Sequence, residues 1–298
     1  MSETSVLYDE PSNVKDLSKE LKKEMRPVSE FNPKDIQGGE RNKPFRMALY
    51  GKTCTGKSFC MKSMLYILKK RFDDVYLFCP TSKLQVDTYD YIPEQRKIET
   101  LDMELITQIM EKQMDQKMRD PKKLKHILFI FDDMISQREI RNNPDVMRLF
   151  IAGRHFSISC IITSQNVGTN QAIPPELRNQ CEYIVSFSLF SETDRKILIE
   201  RFGSVTDKKD GVEQFKKITQ EKYCCCVFDL TKTGANSVKD VMYRYKAPPK
   251  IPKFKMGKNE LETKKNDEFA VTKGNAKFNI DFRMGKKVTQ QKTQIRIV

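Results

Sequence analysis

The chain has 298 residues, a formal net charge of +14 at pH 7, eight cysteines and only two histidines. No apolar run approaches the ~18 residues of a membrane-crossing helix, and "MSETSVLYDEPSN" has neither the basic nor the apolar part of a signal peptide. No membrane span and no secretory leader are therefore expected.

The charge is uneven. Residues 246–298 hold 14 Lys and Arg against 5 Asp and Glu, net +9, whereas residues 1–40 hold 6 against 9, net −3. A basic tail favours a polyanionic partner, most simply nucleic acid; solubility is the plainer alternative. Cys54 lies in a glycine-rich loop, and Cys60, Cys79, Cys160 and Cys181 lie in apolar runs. Cys224, Cys225 and Cys226 are adjacent, and no C-x-x-C pair occurs. A zinc site is not expected, and reduced thiols in a cytosolic-type compartment are the simpler reading.

In chain order, residues 1–40 read as a lead-in segment, with a charged helix over 14–25 that "RPVSEFNPKDIQGGE" breaks. From residue 45 onward, strand-like runs alternate with helical ones. The predicted strands are 45–50, 75–80, 126–133, 158–165 and 182–189, with two more over 223–230 and 237–247. Most are nearly continuous in apolar residues, as parallel strands covered on both faces require. Helical patterns fill 57–71, 99–119 and 144–153. The alternation predicts a three-layer α/β domain over 41–247 with a mostly parallel central sheet. After "APPKIPK" the periodicity fades, and 248–298 reads as a flexible basic tail.

The stretch "GKTCTGKS" fits G-x-x-x-x-G-K-[ST] through Gly51, Gly56, Lys57 and Ser58. Glycines permit the turns that aim successive N–H groups at phosphate oxygens. Lys52, Thr53, Cys54 and Thr55 supply the rest of that backbone. Lys57 would reach the β- and γ-phosphates, and the Ser58 hydroxyl would ligate Mg²⁺. A strand before the loop and a helix after it set the helix N-terminus at the anion. A Gly/Thr-rich turn ahead of an ordinary helix is the competing account.

"HILFIFDD" places Asp132 and Asp133 at the carboxyl end of an apolar strand, where ligands of open parallel sheets sit. The first acid would hold Mg²⁺, directly or through water, and the second could polarise an attacking water. A helix N-cap is the alternative role. Gln165 ends the strand 158–165 and could orient water or sense a γ-phosphate. Arg154 precedes that strand, on the edge opposite the bound nucleotide. It could touch a neighbouring subunit's phosphate in a ring, or simply be a surface arginine. His155 beside it is expected to be a packing or capping residue.

"GKTCTGKS", "ILFIFDD", "GRHFSISCIITSQ" and "IPPELRNQCEYIVSFSLFSETDRKIL" occur in this order. The set resembles the DNA-packaging ATPases of large eukaryotic DNA viruses, the poxvirus-type branch of the FtsK–HerA superfamily of P-loop translocases. The resemblance covers roughly residues 44–202. It implies a ring motor, hexameric or pentameric, that hydrolyses ATP with Mg²⁺ and pumps double-stranded DNA into a capsid, with a capsid or portal-vertex partner. It further implies that Gly51 to Ser58 form the Walker A motif, Asp132 and Asp133 Walker B, Gln165 the sensor and Arg154 the arginine finger. Arg178 and Arg195, in the matching downstream segment, are further candidates for the arginine acting in trans. One departure is that many relatives carry Glu as the second acid, and Asp133 is one methylene shorter. The implied location is a viral assembly site in the host cytoplasm, or the virion. Segments 99–119 and 137–145 are candidate pore elements. Two other readings of the phosphate-loop pattern are a P-loop kinase and a DNA-binding scaffold with a structural nucleotide.

Overall fold

The computed structural model describes residues 28–257 apart from 41–42, 86, 135–137, 142, 170–171, 204–207, 233 and 235–237. The chain divides into two compact units, Met1–Glu260 and Leu261–Val298, and the described residues fall in the first. The helix expected over 14–25 and the tail beyond residue 257 lie outside them.

The lead-in contributes β1 (Ser29–Glu30) and a 3₁₀ segment over Pro33–Gly39 that Asn32 caps. Then come β2 (Arg46–Tyr50), α1 (Lys57–Leu68), β3 (Asp74–Phe78), β4 (Lys97–Ile98) and α2 (Met103–Arg119). Next are β5 (Ile127–Phe131), α3 (Arg138–Arg141), α4 (Pro144–Ala152), β6 (Ile158–Ser164), α5 (Pro175–Arg178) and β7 (Tyr183–Ser186). The described domain finishes with α6 (Glu192–Phe202), α7 (Lys208–Thr219), β8 (Cys224–Asp229), α8 (Val238–Val241) and β9 (Met242–Lys246). Helix starts follow local chemistry. Asp102 accepts from the Leu105 N–H at α2, and Asn143 accepts from Asp145 and Val146 at α4, where Pro144 takes the first turn.

Among the described residues the sheet has nine strands in the order β1-β9-β8-β7-β2-β6-β5-β3-β4. Pairing is parallel except at β7–β8 and β8–β9. Strand β6 lies between β2 and β5, with Met47 opposite Ile161 and Ile130 opposite Ile161 on its other side. Alternation sorts the side chains into two layers. Leu128, Ile130, Ile161, Val185 and Val227 share one cluster with Met61 and Leu65 of α1. The alternate residues face the other helices: Phe131 meets Phe150 of α4, and Phe202 of α6 meets Tyr50 and Phe228.

Strands β2, β5, β6, β7 and β8 fall within the predicted runs, β3 starts one residue before its run at Asp74, and the two-residue β4 has no predicted counterpart. Larger features also differ from the sequence reading. The segment 237–247, expected to be one strand, has a helical turn over Val238–Val241 before β9. Two helices, α6 and α7, lie where the sequence reading predicts none; α7 is amphipathic. The lead-in is partly built into the domain: β1 pairs with β9, and Phe31 and Ile36 are core residues. The domain also continues past 247, because Met256 is buried and donates its N–H to Tyr91 O at 2.9 Å.

At the starting edge of the sheet, buried Arg46 makes an ion pair with Glu182 through Nη2–Oε1, and its Nε donates to Oε2 at 3.1 Å. Nη1 reaches Phe150 O at 3.1 Å. This pair joins β2, the turn before β7 and α4. Removing one partner leaves a buried charge, which costs about 3 kcal/mol or more. Urea unfolding of Glu182→Ala should show a loss of about that size, and the double variant Arg46→Met/Glu182→Met should recover most of it. An unchanged midpoint in Glu182→Ala would refute this account of the pair.

Candidate nucleotide-binding site

The loop Gly51–Gly56 joins the carboxyl end of β2 to the first turn of α1. Two of its residues take left-handed backbone, which glycine accepts freely and a residue with a side chain does not. Cys54 has φ 65° and Gly56 φ 93°. A Cβ on Gly51 would lie 2.8 Å from Thr55 Oγ1 and 3.0 Å from Phe187 Cβ, so no larger residue fits without displacement. Thr55 closes the turn by donating its hydroxyl to Lys52 O at 2.7 Å. The loop is tied to the sheet where Gly51 N–H meets Ser164 O at 3.0 Å. The unshared N–H groups of the first turn of α1 then face the loop, which suits an anion.

Lys57 is 8% exposed. Its Nζ lies 3.6 Å from Asp133 Oδ1 and 3.9 Å from Asp132 Oδ1. The parallel register explains the meeting: β2 and β5 flank β6, and all three end at the same edge. A cavity of about 240 Å³ opens between loop and acids, lined by Lys52, Thr53, Cys54, Gly56, Lys57, Ser58, Phe59, Gln85, Asp132 and Asp133.

Asp132 is 3% exposed and has neutral donors on both oxygens. Thr163 Oγ1 donates to Oδ1 at 2.5 Å, and Tyr89 Oη donates to Oδ2. Burial, reinforced by the neighbouring Asp132 charge, pushes the Tyr89 phenol far above its ordinary range, so it stays a donor. Asp133 is half-buried and adopts φ 54°, uncommon for a residue with a side chain. Its N–H donates to Thr163 Oγ1 at 3.2 Å, and exposed Gln165 reaches its Oδ1 from Nε2 at 3.4 Å. The Ser58 hydroxyl and the Asp132 carboxylate are hard oxygen donors on one cavity, a set that fits Mg²⁺.

Not every expected site residue gathers here. Arg154 is exposed in the 3₁₀ turn Gly153–Phe156 ahead of β6, at the opposite edge of the sheet, with His155 Nε2 3.5 Å from its Nε. His155 is also exposed, and its carbonyl accepts from Lys117 Nζ at 2.7 Å. Arg178 ends α5 and is half-buried, with its charge close to Tyr50 and Arg201. Arg195 is committed to its own chain: its guanidinium donates to the carbonyls of Leu189 and Phe190. The expected pore segment 99–119 is α2, docked through buried Ile106, Ile109 and Met110, and Gln113 Nε2 donates to Lys125 O and Phe156 O at 2.7 Å each. Within 137–145, residues 137 and 142 lie outside the described structure. The cysteine triplet is strand interior, where burial raises the Cys225 and Cys226 thiols well above their usual range.

Sequence reasoning missed Tyr89, Thr163 and Phe59. Thr163 could have been found, since it stands two positions before Gln165 on the strand beside the acids. Tyr89 lies in an irregular segment between β3 and β4, and nothing local marks it.

Loop, helix start, paired acids and sheet order define a P-loop NTPase. Residues 31–228 match the family described as poxvirus A32 protein, and the chain belongs to that family. It is 24% identical over 226 residues to the uncharacterized protein 015R of Frog virus 3 (isolate Goorha), covering 76% of this chain and 68% of that protein. It is 28% identical over 150 residues to the DNA packaging protein OPG160 of vaccinia virus (strain Copenhagen), covering 49% of this chain and 54% of that protein. Among solved structures, the genome packaging NTPase B204 from Sulfolobus turreted icosahedral virus 2, in complex with AMP, shares the fold. Its TM-score is 0.50 at 15% identity, covering 73% of this chain and all of that one.

Replacing Tyr89 by Phe removes one donor from a buried carboxylate while keeping shape. An unsatisfied buried acceptor costs about 1–3 kcal/mol. Denaturant unfolding of Tyr89→Phe should show a loss in that range, whereas wild-type stability would mean that Asp132 does not depend on the phenol.

Proposed function

We propose that the chain is an ATP-hydrolysing motor that moves double-stranded DNA into a viral capsid. The observation that carries this reading is the buried meeting of Lys57 with Asp132 and Asp133 on the cavity of the phosphate loop. Membership of the poxvirus A32 family, whose OPG160 relative is named a DNA packaging protein, supplies the process in which the motor acts. The basic balance of the chain suits a DNA partner held through its phosphates without reading sequence.

In this mechanism Lys57 leaves the acids for the β- and γ-phosphates when a triphosphate enters. Backbone N–H groups of residues 52–58 cradle the phosphates. Ser58 and Asp132 would hold Mg²⁺, which when bound would neutralise phosphate charge; Tyr89 and Thr163 keep the Asp132 carboxylate in place by donating to its oxygens. Asp133 and Gln165 orient the attacking water. Its oxygen bonds to the γ-phosphorus, the bond to the β-bridging oxygen breaks, and Asp133 takes up the proton. ADP and phosphate leave.

Arg154 cannot serve its own site from the far edge of the sheet. It serves a neighbour's in a ring, a hexamer or a pentamer, where an arginine in trans contributes about 10³–10⁵ in rate. Arg178 is the second candidate. The capsid or a portal-vertex protein is the partner, and the assembly site in the host cytoplasm or the virion is the place of action.

The test is ATP turnover with and without double-stranded DNA for wild type, Lys57→Ala, Arg154→Ala and an equal mixture of the two variants. DNA should stimulate the wild type, with stimulation fading steeply as salt rises. Each variant alone should fall by about 10²-fold or more, and the mixture should recover activity through mixed interfaces. Full activity of Arg154→Ala with no response to DNA would overturn the shared-site motor.

A further inference from the structure

A second cavity, of about 290 Å³, adjoins the one over the phosphate loop and shares Ser58 and Phe59 with it. Its remaining lining residues are Lys62, Asp87, Thr88 and Ile251. Resting on the nucleotide-binding reading above, we infer that this second cavity takes the nucleobase of the bound nucleoside triphosphate.

The direction of the ligand follows from charge. The terminal phosphate belongs beside Lys57 and the acids, so the inner phosphate lies over the first N–H groups of α1, those of Ser58 and Phe59. The nucleoside must then continue away from the acids, and the adjoining space begins at those same two residues. Together the two cavities reach the usual size of small-molecule sites, roughly 300–1,000 Å³.

The lining has the chemistry of a base site. Phe59 is half-buried, and its ring is steadied by Tyr223 at 4.8 Å between centroids. Tyr223 itself is held in a left-handed backbone conformation, φ 64°, by Ala247 N–H donating to its carbonyl at 3.0 Å. A flat aromatic wall suits a heterocycle, and Ile251 adds an aliphatic one. Asp87 and Thr88 bring acceptors for an exocyclic amine. Lys62 is already spent: its Nζ donates to Asp90 Oδ1 at 2.5 Å and to Asp87 O at 3.3 Å, which fixes the loop carrying those acceptors.

Ile251 stands on the segment after β9, and that segment is anchored. Phe254 stacks on Tyr91 with centroids 5.0 Å apart, and Lys255 Nζ donates to Asp90 O at 2.8 Å. The stretch read from sequence as the start of a flexible tail thus forms one wall of the base site.

Titration calorimetry with two probes tests this on the full chain: AMPPCP, which has a base, and inorganic tripolyphosphate, which has none. Phe59→Ala, Phe59→Leu (which keeps apolar bulk) and Ile251→Ala are compared with wild type, with thermal melts as a fold check. Each variant should weaken AMPPCP by about tenfold, in the range of losing one base-stacking contact, and leave tripolyphosphate affinity unchanged. Unchanged AMPPCP affinity, or equal weakening of both probes, would overturn the assignment while leaving the phosphate site standing. Failure of the wild type to bind either probe would overturn the nucleotide-binding reading and this inference with it.

Discussion

Lys57 is 8% exposed and Asp132 3%, and neither charge could be buried alone. Desolvating an isolated ammonium or carboxylate costs several kcal/mol. Here the lysine faces two carboxylates, and Asp132 is further satisfied by Thr163 and Tyr89. The arrangement is stable as it stands, yet both parts are what a triphosphate needs. An entering phosphate replaces the acids as the lysine's counter-charge. In the proposed mechanism the acids, relieved of the lysine, are then free for Mg²⁺ and the attacking water. One buried electrostatic balance thus links folding to ligand binding, and the rest of the carboxyl edge exists to hold its members in place.

The sheet does most of that holding. Placing β6 between β2 and β5 leaves room over its end for a phosphate, with Thr163 at the centre touching both acids through one hydroxyl. At the far edge of the same strands, Arg46 and Glu182 lock the starting ends, and Arg154 is presented outward. Acids at one edge and an exposed arginine at the other give the polarity that the proposed ring of copies would use. The two antiparallel strands β8 and β9 extend the sheet on the side of β7, and the segment after β9 returns across the α1 side to meet Tyr91.

Much of this was legible in the sequence, because it is local. The loop and its helix need only adjacent residues. The acids end a five-residue apolar strand, Ile127–Phe131, and Gln165 follows another. What could not be read depends on contacts between distant segments. Tyr89 reaches Asp132 across 43 positions. The lead-in looked separable because Ser29 and Glu30 are polar, but Arg71, buried from α1's end, donates to the carbonyls of Ile36, Glu40 and Lys43 and ties that stretch down. The segment after β9 is rich in Pro and Lys, so no periodicity announces that Phe254 and Met256 pack. Helices α6 and α7 are rich in charged residues, and only Leu198, Ile199 and Phe202 of the first and Phe215 and Ile218 of the second are buried large apolar residues, so neither stands out locally.

The account stands on chemistry at one edge being turned into movement of DNA. The most direct measurement is displacement of a triplex-forming oligonucleotide from double-stranded DNA by the purified protein. The account predicts displacement with ATP and none with a non-hydrolysable analogue. Steady ATP hydrolysis in the presence of DNA with the triplex left intact would contradict it, leaving an ATPase that does not translocate.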